Sequence, residues 1–231
     1  MEIHASLWTK LLMMSGISDP HTLLVYDHVI SAGIVFLLLS LLALAVNSRK
    51  SMVPNHLQQV VEVIVQALMD MMNDTIGAHS RKYLPLIGGL AFFIFTSNFL
   101  GLVPSFTPAT GNWNTTLACA LIVFLYYNFQ GFKEHGIKYG KHFMGPELLL
   151  SPLMLPIEII SHIARPLSLS IRLFGNISGE HMVMGVFYTQ LIPWLVPVPM
   201  MALGLFAAVL QTFVFIILAQ LYIAEATEHA H

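Results

Sequence analysis

Charge is scarce in this sequence: 10 Lys and Arg and 12 Asp and Glu make up only 10% of 231 residues, against about 25% in a soluble domain. A net charge of −2 offers no basic surface for nucleic acid. The single cysteine, Cys119, excludes an intramolecular disulfide framework and, within an apolar run, reads as a small buried hydrophobe. No glycine-rich phosphate loop is present, so direct nucleotide binding is not expected. No internal repeat is found either, which argues against an inverted-repeat transporter. The opening MEIHASLWTKLLMMSG lacks the marks of a cleaved signal, because Glu2 is acidic and Lys10 falls inside a short apolar patch. It reads as a retained, partly amphipathic segment.

What is abundant is apolar. The chain is 56% hydrophobic, with 13 Met and 15 Phe and a mean hydropathy of +0.74. Several apolar runs approach 20 residues, the length that crosses a bilayer as a helix. The expected fold class is therefore an all-α polytopic membrane protein, one membrane domain over residues 1–231. It comprises about five transmembrane helices, one amphipathic helix and a long, tilted and bent helical hairpin at the C-terminal end. The first span is expected at 28–46, the amphipathic helix at 56–77, the second span at 83–103 and the third at 115–129. A polar-striped fourth helical region covers 146–190, a proline-rich loop 191–199, and the last span 200–224. Pro152, Pro156 and Pro166 predict bends or interfacial turns in the fourth region.

The basic residues orient this arrangement. Arg49, Lys50, Arg81 and Lys82 flank the segment between spans one and two, and Lys133, Lys138 and Lys141 follow span three. The loop between spans two and three carries no Lys or Arg, nor does the one before the last span. By the positive-inside rule the N-terminus lies outside and the C-terminus inside.

Two arginines, Arg165 and Arg172, remain within the apolar body. A charge at bilayer depth costs at least about 2.5 kcal/mol unless it is partnered or faces water. Seven residues apart, they share a helix face. Glu158 and His162 extend that face backwards, Asn176 and Glu180 forwards, and Ser168 sits four residues before Arg172. Arg172 is a fixed positive charge, whereas Glu158, His162, Glu180 and His181 can change protonation state. Such a row suits an ion path with an electrostatic barrier, or a docking site for a partner's carboxylate. The plainer alternatives are that Arg172 pairs with Glu158 or Glu180 to hold helices together, and that Arg165, before Pro166, snorkels to the interface. Gln211, the only strongly polar residue between Met200 and Ala219, either bonds a neighbouring helix or faces Arg172.

The run ARPLSLSIRLFGNISGE resembles the signature of subunit a of the F-type ATP synthase membrane sector. SNFLGLVP, PATGNWNTTLACAL and LQTFVF extend that resemblance over nearly the whole chain. The resemblance implies an ion-translocating stator subunit, most simply for protons, that offers two half-channels to a rotating c-ring without itself catalysing ATP formation. It implies that Arg172 is the fixed charge between the half-channels. Glu180, Asn176 and Gln211 would line the outer path and Glu158 and Ser168 the inner exit; His162 and His181 are further candidates for the ion pathway. The implied partners are the c-ring, the peripheral-stalk b subunits, the catalytic head indirectly, and the lipid of a bacterial inner membrane. No cofactor or metal is implied.

The chain departs from the family pattern at two places. Asn112 stands where many members have an aspartate, and Gly204 where some have a histidine that partners the acidic residue; here His181 follows Glu180 directly. Two other readings are a proton-coupled secondary transporter, which should show repeats, and a haem-binding respiratory subunit. Nine of the 11 histidines, however, lie at span ends, loops or tails.

Overall fold

A computed structural model describes residues 20–48, 55–77, 80–103, 106–136, 151–190 and 197–227. These form six helices and no strands: α1 (Pro20–Ser48), α2 (His56–Ile76), α3 (Leu84–Gly101), α4 (Trp113–His135), α5 (Ser151–Gln190) and α6 (Pro197–Thr227). Helices satisfy their own backbone hydrogen bonds, the requirement that lipid imposes on any spanning segment. Among the described residues, Tyr26–Ser48, Leu84–Gly101, Trp113–Glu134 and Met201–Thr227 are long and apolar enough to cross a membrane. α5, at 40 residues the longest helix, is not among them because its polar stripe lowers its hydropathy. The chain is an all-α multi-pass membrane protein.

Several boundaries differ in detail from expectation. α1 begins at Pro20, ahead of the apolar run at 28–46, and α6 begins at Pro197, inside the stretch read as a loop. Pro156 and Pro166 lie within the single helix α5, in keeping with the one helical region expected at 146–190. A helix survives a proline where neighbouring helices support the freed carbonyls, and Pro166 is buried in the bundle. The segment around the expected connector, 137–150, lies outside the described residues.

α3, α4, α5 and α6 enclose the core. Ile87, Leu90 and Ile94 meet Ala120, Val123 and Tyr127, Leu169 and Leu173, and Phe215, Ile216 and Ile223, all buried. Cys119 is buried there as expected. α2 is amphipathic: it docks Leu68 and Met72 on the core while Leu57, Val60, Val63 and Glu62 stay exposed. Its first turn is capped by Asn55, whose side chain accepts from the His56 amide at 2.9 Å. The buried residues of α1, Asp27, Ser31 and Val35, are four apart and so form one short face; Phe36, Leu37, Leu41 and Leu44 are exposed, as lipid contact requires.

The bundle has two chemically distinct ends. At the basic end, Lys82, in the turn just before α3, pairs with Glu134 of α4. At the opposite end, the turn Ala109–Gly111 folds inward among α1, α3, α4 and α5. Asn112 caps α4 there, its Oδ1 accepting from the Asn114 amide at 2.9 Å. α5 and α6 run antiparallel: Arg165 meets Glu225, Asn176 meets Gln211, and Glu180 meets Gly204.

Candidate functional site

The stripe on α5 divides into two polar clusters with Arg172 between them. One face of the helix, Leu169, Ser170, Leu173 and Ile177, is buried in the bundle. The adjoining face, Ser168, Ile171, Arg172, Gly175, Asn176 and Gly179, is exposed on the isolated chain. The Arg172 guanidinium makes no ion pair among the described residues; those found are Lys82–Glu134 and Arg165–Glu225. The alternative in which Arg172 locks helices through Glu158 or Glu180 is therefore not what the fold adopts. Trp113, the first residue of α4, donates its indole N–H to Ser170 at 3.4 Å, two residues from Arg172.

Towards the basic end, His162 Nε2 lies 2.9 Å from Asn128 Oδ1 and 3.3 Å from the Tyr127 hydroxyl. Because Asn128 Nδ2 already donates to the Phe124 carbonyl at 2.8 Å, its Oδ1 is the acceptor facing His162. Nε2 therefore carries the proton. The ring also stands edge-on to Phe124 and Tyr127. Arg165 is held by both oxygens of Glu225, at 2.8 and 2.7 Å, with its guanidinium 5.3 Å over the Tyr222 ring. Glu158 is partly exposed and lies within electrostatic reach of His162 and Arg165.

Towards the opposite end, Asn176 Nδ2 donates to Gln211 Oε1. Gln211 is 3% exposed, and its own Nε2 has no partner among the described residues. One turn on, the Glu180 carboxylate lies directly against the backbone of Gly204. A Cβ there would stand 1.8 Å from Oε1 and 2.7 Å from Leu102 Cδ2. A glycine is thus required at the departure position for Glu180 to occupy this site. His181 points elsewhere: its Nε2 lies 3.1 Å from where a Gly101 Cβ would be, beside Pro108, with His28 of α1 in electrostatic reach. It does not pair with Glu180. The two α5 histidines sit about 28 Å apart along the helix axis, too far to share one haem.

Several polar residues of this end were not singled out in the sequence. Thr107 donates to Asp27, and Ser31 lies 3.5 Å from Thr107. Thr110 donates to Asn98 at 2.6 Å, and its amide donates to Ser97 Oγ at 3.2 Å. Asp27, Ser31, Ser97, Asn98 and Thr110 are all buried. Buried polar groups at this density in apolar helices were the available signal, since each is costly unless paired. Among the described residues no group of three or more His, Cys, Asp or Glu side chains is arranged to hold a metal.

The family model described as ATP synthase A chain matches residues 28–224. An ATP synthase subunit a 1 of Syntrophotalea carbinolica is 50% identical over 204 residues, 88% of this chain and 87% of the relative. ATP synthase subunit a of Trichlorobacter lovleyi is 44% identical over 223 residues, covering 96% and 95%. That of a Nitratiruptor species is 47% identical over 212 residues, covering 91% and 92%. The chain belongs to the ATP synthase A chain family.

Proposed function

We propose that this chain is the ion-translocating stator subunit of a rotary ATP synthase, and that Arg172 is the fixed charge separating two half-channels for protons. The observation that carries this reading is Arg172 itself: exposed and without an ion pair among the described residues, between two polar clusters of opposite ends. A guanidinium at bilayer depth with no ion pair among the described residues calls for an anion to face it. A carboxylate on a rotating ring of partner subunits meets that need.

The exposed face carries small residues, Gly175 and Gly179, which let a partner helix approach closely. A deprotonated ring carboxylate is drawn to Arg172; once protonated it is neutral and can turn away into lipid. Glu180 takes up and releases protons on the outer side, where Asn176, Gln211 and the buried group around Asp27 and Asn98 line the path with hydrogen-bonding groups. Glu158, His162 and Ser168 line the inner exit. Arg172 cannot release its proton, so it blocks direct leakage between the two paths. One charge moved through 100 mV yields about 2.3 kcal/mol, so several must pass for each ATP.

The N-terminus then faces outward and the C-terminus inward, across a bacterial inner membrane. Peripheral-stalk b subunits hold the chain against rotation, and the catalytic head, where ATP forms, is coupled to it indirectly. Isolation in mild detergent tests the assignment. A ring of small subunits and the catalytic head should co-purify with the chain; recovery of the chain alone, from membranes where a head–ring complex survives, overturns it. The transporter and haem readings gain no support from the relatives found.

A further inference from the structure

Arg165 and Arg172 lie on the same face of α5, about 10 Å apart along the axis. Both carry permanent charge, and either could trap a passing carboxylate. They differ in what surrounds them. Arg165 is clasped by the two oxygens of Glu225 and covered by the Tyr222 ring, whereas Arg172 has no ion-pair partner among the described residues. Glu225 comes from the last turn of α6, 60 residues away in sequence. Glu158, two turns earlier on α5, acts on Arg165 only through its field and makes no ion pair with it among the described residues.

We propose that Glu225 is a specificity-determining residue: by neutralising Arg165 it leaves Arg172 as the α5 arginine that captures the rotor carboxylate. This inference rests on the reading of Arg172 given above. The fork geometry suits the task, because both oxygens are used and Arg165 has little remaining attraction for a second anion. Without Glu225, the freed Arg165 presents a second trap displaced towards the basic end. A deprotonated carboxylate held there is off the path between the half-channels, and the ring stalls.

The test compares variants in the assembled complex in membrane vesicles, with ATP-driven proton pumping read per assembled complex. Glu225→Gln lowers pumping about tenfold or more, since it frees the opposing charge. Arg165→Gln, which removes the trap with its partner, stays within about threefold of the unmodified complex. The double variant Arg165→Gln/Glu225→Gln returns to the Arg165→Gln level. Equal losses in the two single variants, with no recovery in the double, mark a purely structural clamp and overturn the proposal. If Glu225→Gln does not accumulate, Glu225→Asp withdraws the charge by one methylene and the same ranking decides. Arg172→Gln separates the two levels of the account. Normal pumping in that variant sinks the reading of Arg172, whereas loss of pumping in Arg172→Gln beside equal Glu225 and Arg165 variants sinks only the role of Glu225.

Discussion

The carboxylate of Glu180 rests on the backbone of Gly204, so closely that a single methyl at that glycine would stand 1.8 Å from Oε1. The absence of a side chain on α6 thus shapes the position of the titratable group on α5.

Gly204→Ala is expected to displace the Glu180 carboxylate, the free end of a flexible side chain, at little packing cost. ATP synthesis by membrane vesicles should fall about tenfold or more, while assembly persists. Adding Glu180→Asp, which shortens the side chain by one methylene, should restore part of the rate. A fully active Gly204→Ala variant would show that the position of Glu180 is immaterial.

Asn176 and Gln211 join α5 to α6 in the outer cluster. A double-mutant cycle with Asn176→Ala and Gln211→Ala should return a coupling of about 0.5–1.5 kcal/mol in pumping rate or thermal stability. Additive losses would mean that the hydrogen bond has no part in either.

Thr110 tethers the inward-folded turn to Ser97 and Asn98. Thr110→Val keeps the shape and leaves Asn98 Oδ1 without this donor, so the detergent-solubilised complex should lose about 1–3 kcal/mol of stability. The measurement is its melting temperature. An unchanged value would indicate that the buried network is replaceable by apolar packing.

Lys82 and Glu134 make a contrasting case at the basic end. Against partial burial, which pulls the other way, the Glu134 carboxylate and the Tyr83 side chain hold the Lys82 ammonium above its ordinary value of 10.5. A raised folded-state pKa stabilises below that ordinary value and the benefit is lost as pH rises through the raised one. On the lysine side, stability from this pair should therefore be flat through neutral pH and decline in strong alkali. With Lys82 41% exposed, Lys82→Ala should cost about 0–1 kcal/mol. A larger loss in thermal denaturation would contradict a surface pair.

The sequence made the local features readable. Apolar runs located the spanning helices, and spacings of four, three and seven residues put Glu158, His162, Arg165 and Arg172 on one row. What local reading could not supply was the partner across the bundle. Asp27 meets Thr107 from 80 residues away and Arg165 meets Glu225 from 60, pairings that no helical period encodes. That α5 stays helical through Pro156 and Pro166 is likewise not encoded by local spacing, since proline removes a backbone donor whose carbonyl partner must be satisfied by the surroundings. His181, adjacent to Glu180 in sequence, turns instead towards Gly101 and Pro108, because successive helix residues face about 100° apart.

The central claim is that Arg172 must be a permanent charge, free of ion pairs among the described residues so that it can receive the rotor carboxylate. Arg172→Lys tests it most directly, since lysine keeps the charge in water but can lose its proton when desolvated. The measurement is ATP synthesis driven by an imposed proton gradient in vesicles carrying fully assembled complex. The account predicts synthesis at background level in Arg172→Lys; synthesis at the rate of the unmodified complex would contradict it.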